Sequence, residues 1–359
     1  MKALIVPFFI SHQGCPHKCV FCNQEIISGC EGYLPSSQEL LDKIAAYRAS
    51  GKQESMEVAF YGGTFTSLPR PIQEGLLLPL QPLIAGGQIS SIRVSTRPDA
   101  VDPGITEFLL RMRVGTVELG VQSMDDEVLT IAGRGHSAAH TTDASRILRE
   151  AGLTVGMQLM PGLPGDTPEK ALASLDRVLA LGPAFLRIYP TLVIAGTKLA
   201  SLYRSGGYVP MPLAEAIRLC KIMLHRALAV GVKVTRIGLQ STSELESSGT
   251  ILAGPYHPAF RQLVESALCY DLLYMLSGAI PAISPVTVLC SPTRVSDISG
   301  QRQENLSRLV LERGITVSAV KADPTLSPME ILIESEQGIK EGNLMRDLDY
   351  KMEGTYFDR

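Results

Sequence analysis

Gly14-Cys15-Pro16-His17-Lys18-Cys19-Val20-Phe21-Cys22 decides how the rest of this 359-residue chain is read. Three cysteines stand at i, i+4 and i+7, directly after an apolar run from Ala3 to Phe9 that reads as a first β-strand. Soft thiolates at that spacing can converge on one metal centre, either iron–sulfur or zinc. A structural zinc site normally comes as two separated ligand pairs, and here only His17 or Cys30 stands near enough in sequence to complete one, so the spacing favours iron–sulfur. Cys30 has no partner at metal spacing and reads as a structural or exposed thiol. Three cysteines on a four-iron cluster leave one iron without a protein ligand, an open position where a small molecule can bind and react.

Outward from this loop, short β-like runs alternate with amphipathic stretches. Strands are expected at Ala3 to Phe9, Met56 to Tyr61, Ser91 to Thr96, Thr116 to Val121, Thr154 to Met160, Ala184 to Tyr189 and Val232 to Arg236. Helices are expected at Ser36 to Ala49, Arg70 to Leu83, Pro103 to Arg113, Ser137 to Ala151, Pro168 to Leu181 and Leu213 to Val230, several opening on Ser, Thr or Asp and closing at Gly. The βαβα order implies an α/β protein with a parallel sheet, and six or seven units suit a full or partial (β/α) barrel better than a doubly wound sheet. Periodicity by itself does not choose between them. The pattern breaks near Gly249. We expect a core barrel over 1–250, a helical connector over 251–283, a small α+β domain over 284–335, and a charged tail over 336–359 that reads as a surface helix or frayed end.

Composition bounds the function. With 45% hydrophobic and 19% charged residues the chain is globular, and Lys+Arg 33 against Asp+Glu 36 gives −3, so any RNA partner needs a local basic patch. No apolar run approaches the roughly 18 residues a membrane span needs. No cleavage signal follows the first apolar run, and seven cysteines without a disulfide pattern point to a cytoplasmic, reducing setting.

Cys15, Cys19, Phe21 and Cys22 match the C-x₃-C-x-Φ-C motif, so the chain resembles the radical S-adenosylmethionine (SAM) superfamily. The resemblance implies a [4Fe–4S] cluster held by Cys15, Cys19 and Cys22 whose open iron chelates SAM. An electron from an external donor such as flavodoxin or ferredoxin then cleaves SAM to methionine and a 5′-deoxyadenosyl radical. It also implies a (β/α)6-type partial barrel. Tyr61-Gly62-Gly63-Thr64-Phe65 resembles the family's Gly-Gly-Glu motif, with Thr64 replacing Glu as in the Elongator-catalytic-subunit branch. Arg187-Ile188-Tyr189-Pro190-Thr191 resembles that branch specifically, and Ser95 to Asp99, Glu118 to Ser123, Arg134 to His136 and Met160 to Gly165 resemble the group it shares with oxygen-independent coproporphyrinogen oxidase. By this resemblance Phe21 packs beside the cluster and adenine, and Gly62, Gly63 and Thr64 hold the methionine moiety. Ser95 and Arg97 lie near its carboxylate or ribose, Glu118 and Gln122 surround ribose and substrate, and Arg187, Tyr189 and Arg236 line the upper barrel. A structural reading, Arg187 paired with a barrel carboxylate, competes.

The chain is identified as resembling a bacterial form of that branch without the acetyltransferase domain, so acetyl transfer is not carried over. The small domain, with Gly300-Gln301-Arg302-Gln303 between two helices, resembles a KH module, although Gln303 replaces the second Gly of the GXXG loop and the segment is not basic. His257 beside Tyr256 and Phe260 reads as a structural histidine. The leading expectation is radical chemistry on RNA, with a tRNA base as target. A small-molecule target such as a tetrapyrrole, and a non-catalytic Fe–S or RNA-binding protein, compete with it. The oligomeric state is not legible.

Overall fold

The computed structural model describes residues 4–29, 33–50, 55–278, 280–281 and 285–350. Cys30 and the expected helix stop at Gly51 lie outside the described residues. The chain divides into two units, one of residues up to 211 with 239–256, the other of 212–238 with everything from 257 on.

In the first unit β1 (Leu4–Phe9), β2 (Met56–Tyr61), β3 (Ser91–Thr96), β4 (Val114–Gln122), β5 (Thr154–Leu159) and β6 (Phe185–Ile188) lie side by side in chain order, each parallel to its neighbours. Chain order without reversal is the barrel-type arrangement, a half-barrel here, and it excludes the doubly wound alternative. The connecting helices include Ser37–Ser50, Pro103–Arg111, Ala138–Glu150 and Pro168–Ala180. Asp102, Ser137 and Thr167 cap three of them through side-chain oxygens that accept backbone N–H groups, satisfying donors a helix start otherwise leaves orphaned.

The expected single helix from Arg70 to Leu83 is a correction. It stops at Leu77, passes through a tight turn at Leu78–Leu80 and restarts at Gln81–Ala85. Pro79 and Pro82 have no N–H to continue the ladder. The Gln81 amide donates to the carbonyls of Leu77 (3.0 Å) and Met112 (2.9 Å), compensating part of the loss.

The two faces of the sheet differ. Val58, Phe60, Ile92, Val94, Val117, Leu119, Val155, Met157, Leu186 and Ile188 are buried and apolar, as helix-covered parallel strands should be. The alternate positions carry Glu57, Tyr61, Arg93, Ser95, Thr116, Glu118, Gln158 and Arg187. In register, Ser95 lies opposite Glu118 and Gln158 opposite Arg187. A half-barrel whose inner face is this polar is built to hold something other than a packed apolar core.

The second unit holds the helices Leu213–Ala229 and Phe260–Ser277, the strand Lys233–Ile237 and, without that strand, a four-stranded sheet. Pro285–Cys290 pairs parallel with Thr316–Ala322 and antiparallel with Glu330–Ser335, which pairs antiparallel with Gly338–Asn343. The last strand corrects the expected charged tail. Gly338-Ile339-Lys340-Glu341 is exposed and charged, the usual dress of an edge strand, which hides its periodicity. No helix among the described residues is long and apolar enough to cross a membrane.

Candidate functional site

The cysteine loop leaves β1 and rests on residues 132–135. Val20 N–H donates to the Ala132 carbonyl (3.0 Å), and a Cβ on Gly135 would lie 2.4 Å from the His17 ring, so the two loops touch where only glycine fits. Val20 and Phe21 sink into an apolar cluster with Val128, Leu163, Leu199 and Tyr208, against which Cys19 and Cys22 pack. Hydrophobic burial of this pair therefore anchors the loop while its thiols stay half-buried.

Each thiol has a polar neighbour. Cys15 Sγ lies 3.4 Å from Thr64 Oγ1, and Arg134 Nη1 donates to Cys19 Sγ at 3.2 Å. Burial, reinforced by the other two cysteines, pushes the Cys22 thiol up to about 12, and burial raises Cys15 as well. Unassisted, these groups stay protonated; a bound metal deprotonates them. Among the described residues no three His, Cys, Asp or Glu gather tightly enough for a single metal ion.

The turn after β2 faces this loop. Gly62 and Gly63 both take left-handed φ, +74° and +62°, and a Cβ on Gly63 would stand 2.3 Å from the Gln13 carbonyl oxygen. Thr64 is fully buried, and its N–H donates to that same carbonyl (2.8 Å).

Past β3 lies a group of cations. Arg97, buried, forks onto Asp99 with two bonds of 2.9 Å, donates also to the Arg134 carbonyl, and keeps one buried nitrogen, Nη1, without a partner. Arg134, 6% exposed, spends Nη2 on the Gly120 carbonyl (2.6 Å) and Nη1 on Cys19, and its Nε is buried and unpaired. No carboxylate among the described residues pairs with it. His136 is buried beside both; burial first, then the two guanidiniums, pull its pKa down to about 3, so it stays neutral.

The inner face of the sheet is charge-balanced instead. Arg93 binds Glu57 (2.6 Å) and Glu118 (2.7 Å); Arg187 binds Glu118 (2.9 Å) and the Tyr61 hydroxyl (2.9 Å), with the Tyr189 hydroxyl 3.4 Å away. Glu118, Arg187 and Tyr189 thus come together, and Arg187 takes the carboxylate pairing that competed with a site role. Gln122 goes elsewhere: at the end of β4, with φ +69° where the β4–β5 register shifts, its side-chain oxygen accepts from Gln158 (3.1 Å). Left-handed backbone on a non-glycine residue stores strain, which clusters at functional sites. Ser95 is half-buried on the same inner face. Arg236 belongs to the strand Lys233–Ile237 of the second unit. His257 accepts the Ala259 N–H through Nδ1 (3.0 Å).

Sequence reasoning missed Glu57, Arg93 and Gln24. The first two were legible as charges at alternate positions of otherwise apolar strands; Gln24, just past the cysteines, gave no signal.

These features define a class. A model described as the radical SAM superfamily matches residues 9–178, and one described as the Radical_SAM C-terminal domain matches 183–269. The chain belongs to the radical SAM superfamily, a superfamily of enzymes. Within it the chain is similar to a tRNA uridine(34) acetyltransferase of Dehalococcoides mccartyi, 30% identical over 55% of this chain and 50% of the relative. It is also similar to Elongator complex protein 3 of Saccharomyces cerevisiae, 28% identical over 54% of this chain and 43% of that protein. The chain thus spans half or less of the length of these two relatives. The structure of Methanocaldococcus infernus Elp3 with an N-terminal deletion shares the fold, with TM-score 0.59 and 23% identity over 74% of this chain and 62% of that one.

Proposed function

We propose that Cys15, Cys19 and Cys22 hold a [4Fe–4S] cluster, that SAM binds beside it, and that the target is a tRNA base. The observation that carries this reading is Arg134. A buried guanidinium without a carboxylate costs several kcal/mol, roughly, unless an anion answers it. This one touches a cluster cysteine and stands next to a second guanidinium with a free nitrogen. The thiolates of a cluster and the carboxylate of SAM are the anions that fit. When bound, the cluster, reduced by an external donor of the flavodoxin or ferredoxin kind, supplies the electron that splits SAM into methionine and a 5′-deoxyadenosyl radical.

The chain's own residues do the rest. Gly62 and Gly63 offer backbone, bare of side chains of their own, at a turn suited to the methionyl amino group, and Thr64 supports Cys15. Arg97 and Arg134 take the carboxylate. Phe21 anchors the loop and closes the apolar side of the site. Ser95, Glu118 and Gln122 line the inner face toward ribose and substrate. Arg187, held by Glu118, presents Tyr61 and Tyr189 toward the substrate and excludes water from the sheet. The tRNA target is supported by the names of the relatives. In the second unit, Gly300, Arg302 and Gln303 all take left-handed φ (+73°, +51°, +63°), so Gln303 adopts the backbone that the second glycine of a GXXG loop provides, which supports the KH-like reading.

Anaerobic reconstitution of the full chain tests the proposal. It should yield four irons per chain and release 5′-deoxyadenosine from SAM on reduction, faster with tRNA added. Replacing Cys15, Cys19 or Cys22 by Ala should abolish the cluster. Stoichiometric iron in the triple variant, or a loaded protein that never cleaves SAM, would defeat the reading.

A further inference from the structure

Gln24 stands two residues past Cys22, at the start of a short helix, Gln24–Ser28. Its side-chain carbonyl accepts two backbone N–H groups from separate segments, that of His12 at 2.5 Å and that of Gly63 at 2.7 Å. Its own N–H donates to His12 Nε2 at 2.9 Å, and its side chain also reaches the Cys22 thiol. His12 is one of the few non-glycine residues with left-handed φ, +59°, a conformation that needs outside support. Oε1 would lie 3.3 Å from a Cβ on Gly62, so it is pressed against the glycine pair itself. One amide therefore ties together the loop after β1, the end of the cysteine loop and the Gly62–Gly63 turn.

These contacts exceed what folding the cysteine loop requires, since Val20 and Phe21 already anchor it in the apolar cluster. What Gln24 adds is a fixed distance between the cysteine that ends the loop and the turn across from it. We infer that Gln24 is a positioning residue that sets the Gly62–Gly63 turn relative to the cluster cysteines, so that SAM meets the turn and the open iron at once. The inference rests on the SAM reading above. Gln24 touches no cofactor through this role; it acts through Gly63 and His12.

Gln24→Leu, close in size and unable to accept or donate, is compared with the wild type as full-length, anaerobically reconstituted protein. Iron content and the electron paramagnetic resonance spectrum of the reduced protein without SAM should match the wild type. The Kd for SAM should rise about tenfold, the order expected from losing two hydrogen bonds. KM for SAM should rise in step while kcat for 5′-deoxyadenosine at saturating SAM stays within about twofold, the mark of lost ground-state positioning. Gln24→Asn, one methylene too short to reach both N–H groups, should behave alike and decides the matter if the Leu variant does not fold. Unchanged SAM affinity overturns the inference. Loss of iron in parallel with SAM binding also overturns it, because Gln24 would then merely be part of the loop's fold. A wild type that holds its cluster and binds no SAM sinks the underlying reading instead.

Discussion

Two groups of buried charge lie in the first unit, and they are built on opposite plans. On the inner face of the sheet two guanidiniums meet two carboxylates, Arg93 and Arg187 against Glu57 and Glu118, with bonds of 2.6 to 2.9 Å. Beside the cysteine loop two guanidiniums meet one carboxylate, Asp99, and Arg134 is left to a thiol and a carbonyl. The first group is internally complete, and its stability needs nothing from outside. The second is short of an anion, so its stability is deferred until something negative arrives. Balanced charges hold one another in place, whereas a surplus of cations suits the anion proposed for it.

The sharpest way to break this comparison is to remove a partner from each group. Glu118→Ala strands Arg187, leaves Arg93 only Glu57, and should destabilise the protein by about 3 kcal/mol, read as a fall in urea midpoint. Arg134→Met removes a charge the ligand-free protein cannot pair. It should leave the stability of ligand-free protein unchanged or higher, while SAM affinity of the cluster-loaded protein falls on the order of a hundredfold. If Arg134→Met costs as much stability as Glu118→Ala, the two groups are alike and the distinction is lost.

His136 tests the imbalance through pH. Burial, and after it the surplus cations, hold its folded pKa at about 3, against 6.5 unfolded. Below pH 6.5 the unfolded chain takes up a proton that the folded chain refuses. This contribution to stability is therefore whole above 6.5 and shrinks as pH falls toward 3, by up to about 1.4 kcal/mol per pH unit. His136→Gln should weaken this part of the pH dependence, a difference of about 1 kcal/mol between pH 5.5 and 7.5 when wild type and variant are compared by urea denaturation. Identical pH profiles would mean that His136 is not held neutral. The smallest effect is expected in the second unit. Arg302→Ala should weaken tRNA of every sequence a few-fold and flatten the salt dependence by about one phosphate contact, a log–log slope change of roughly 0.7. Equal slopes would remove the loop from any RNA surface.

The strands of the sheet were legible nearly to the residue, because parallel strands buried on one side read as apolar runs and their helices start at Asp102, Ser137 and Thr167, which announce themselves. Failures came where local chemistry misleads. Two prolines broke an amphipathic helix at Leu77, and charge hid the edge strand Gly338–Asn343. The residues that matter most to the proposed site divide the same way. Cys15, Cys19, Cys22, Gly62 and Gly63 declare themselves by type and spacing over a few positions. Arg134 was noticed only as part of a motif, and its partner Cys19 lies 115 positions away.

What the sequence determined alone, then, is whatever acts within a turn or a strand: periodicity, caps, the cysteine spacing, the glycine pair. Tertiary structure decided which charges are answered and which are not. Glu57 finds Arg93 36 residues on, Arg187 finds Tyr61 across 126, and Gln24 finds Gly63 across 39. Pairing at such separations depends on strand register and on a half-barrel that turns alternate side chains to one face. A buried charge is costly or stabilising according to what lies within about 4 Å of it, which is a property of the fold and not of the residue.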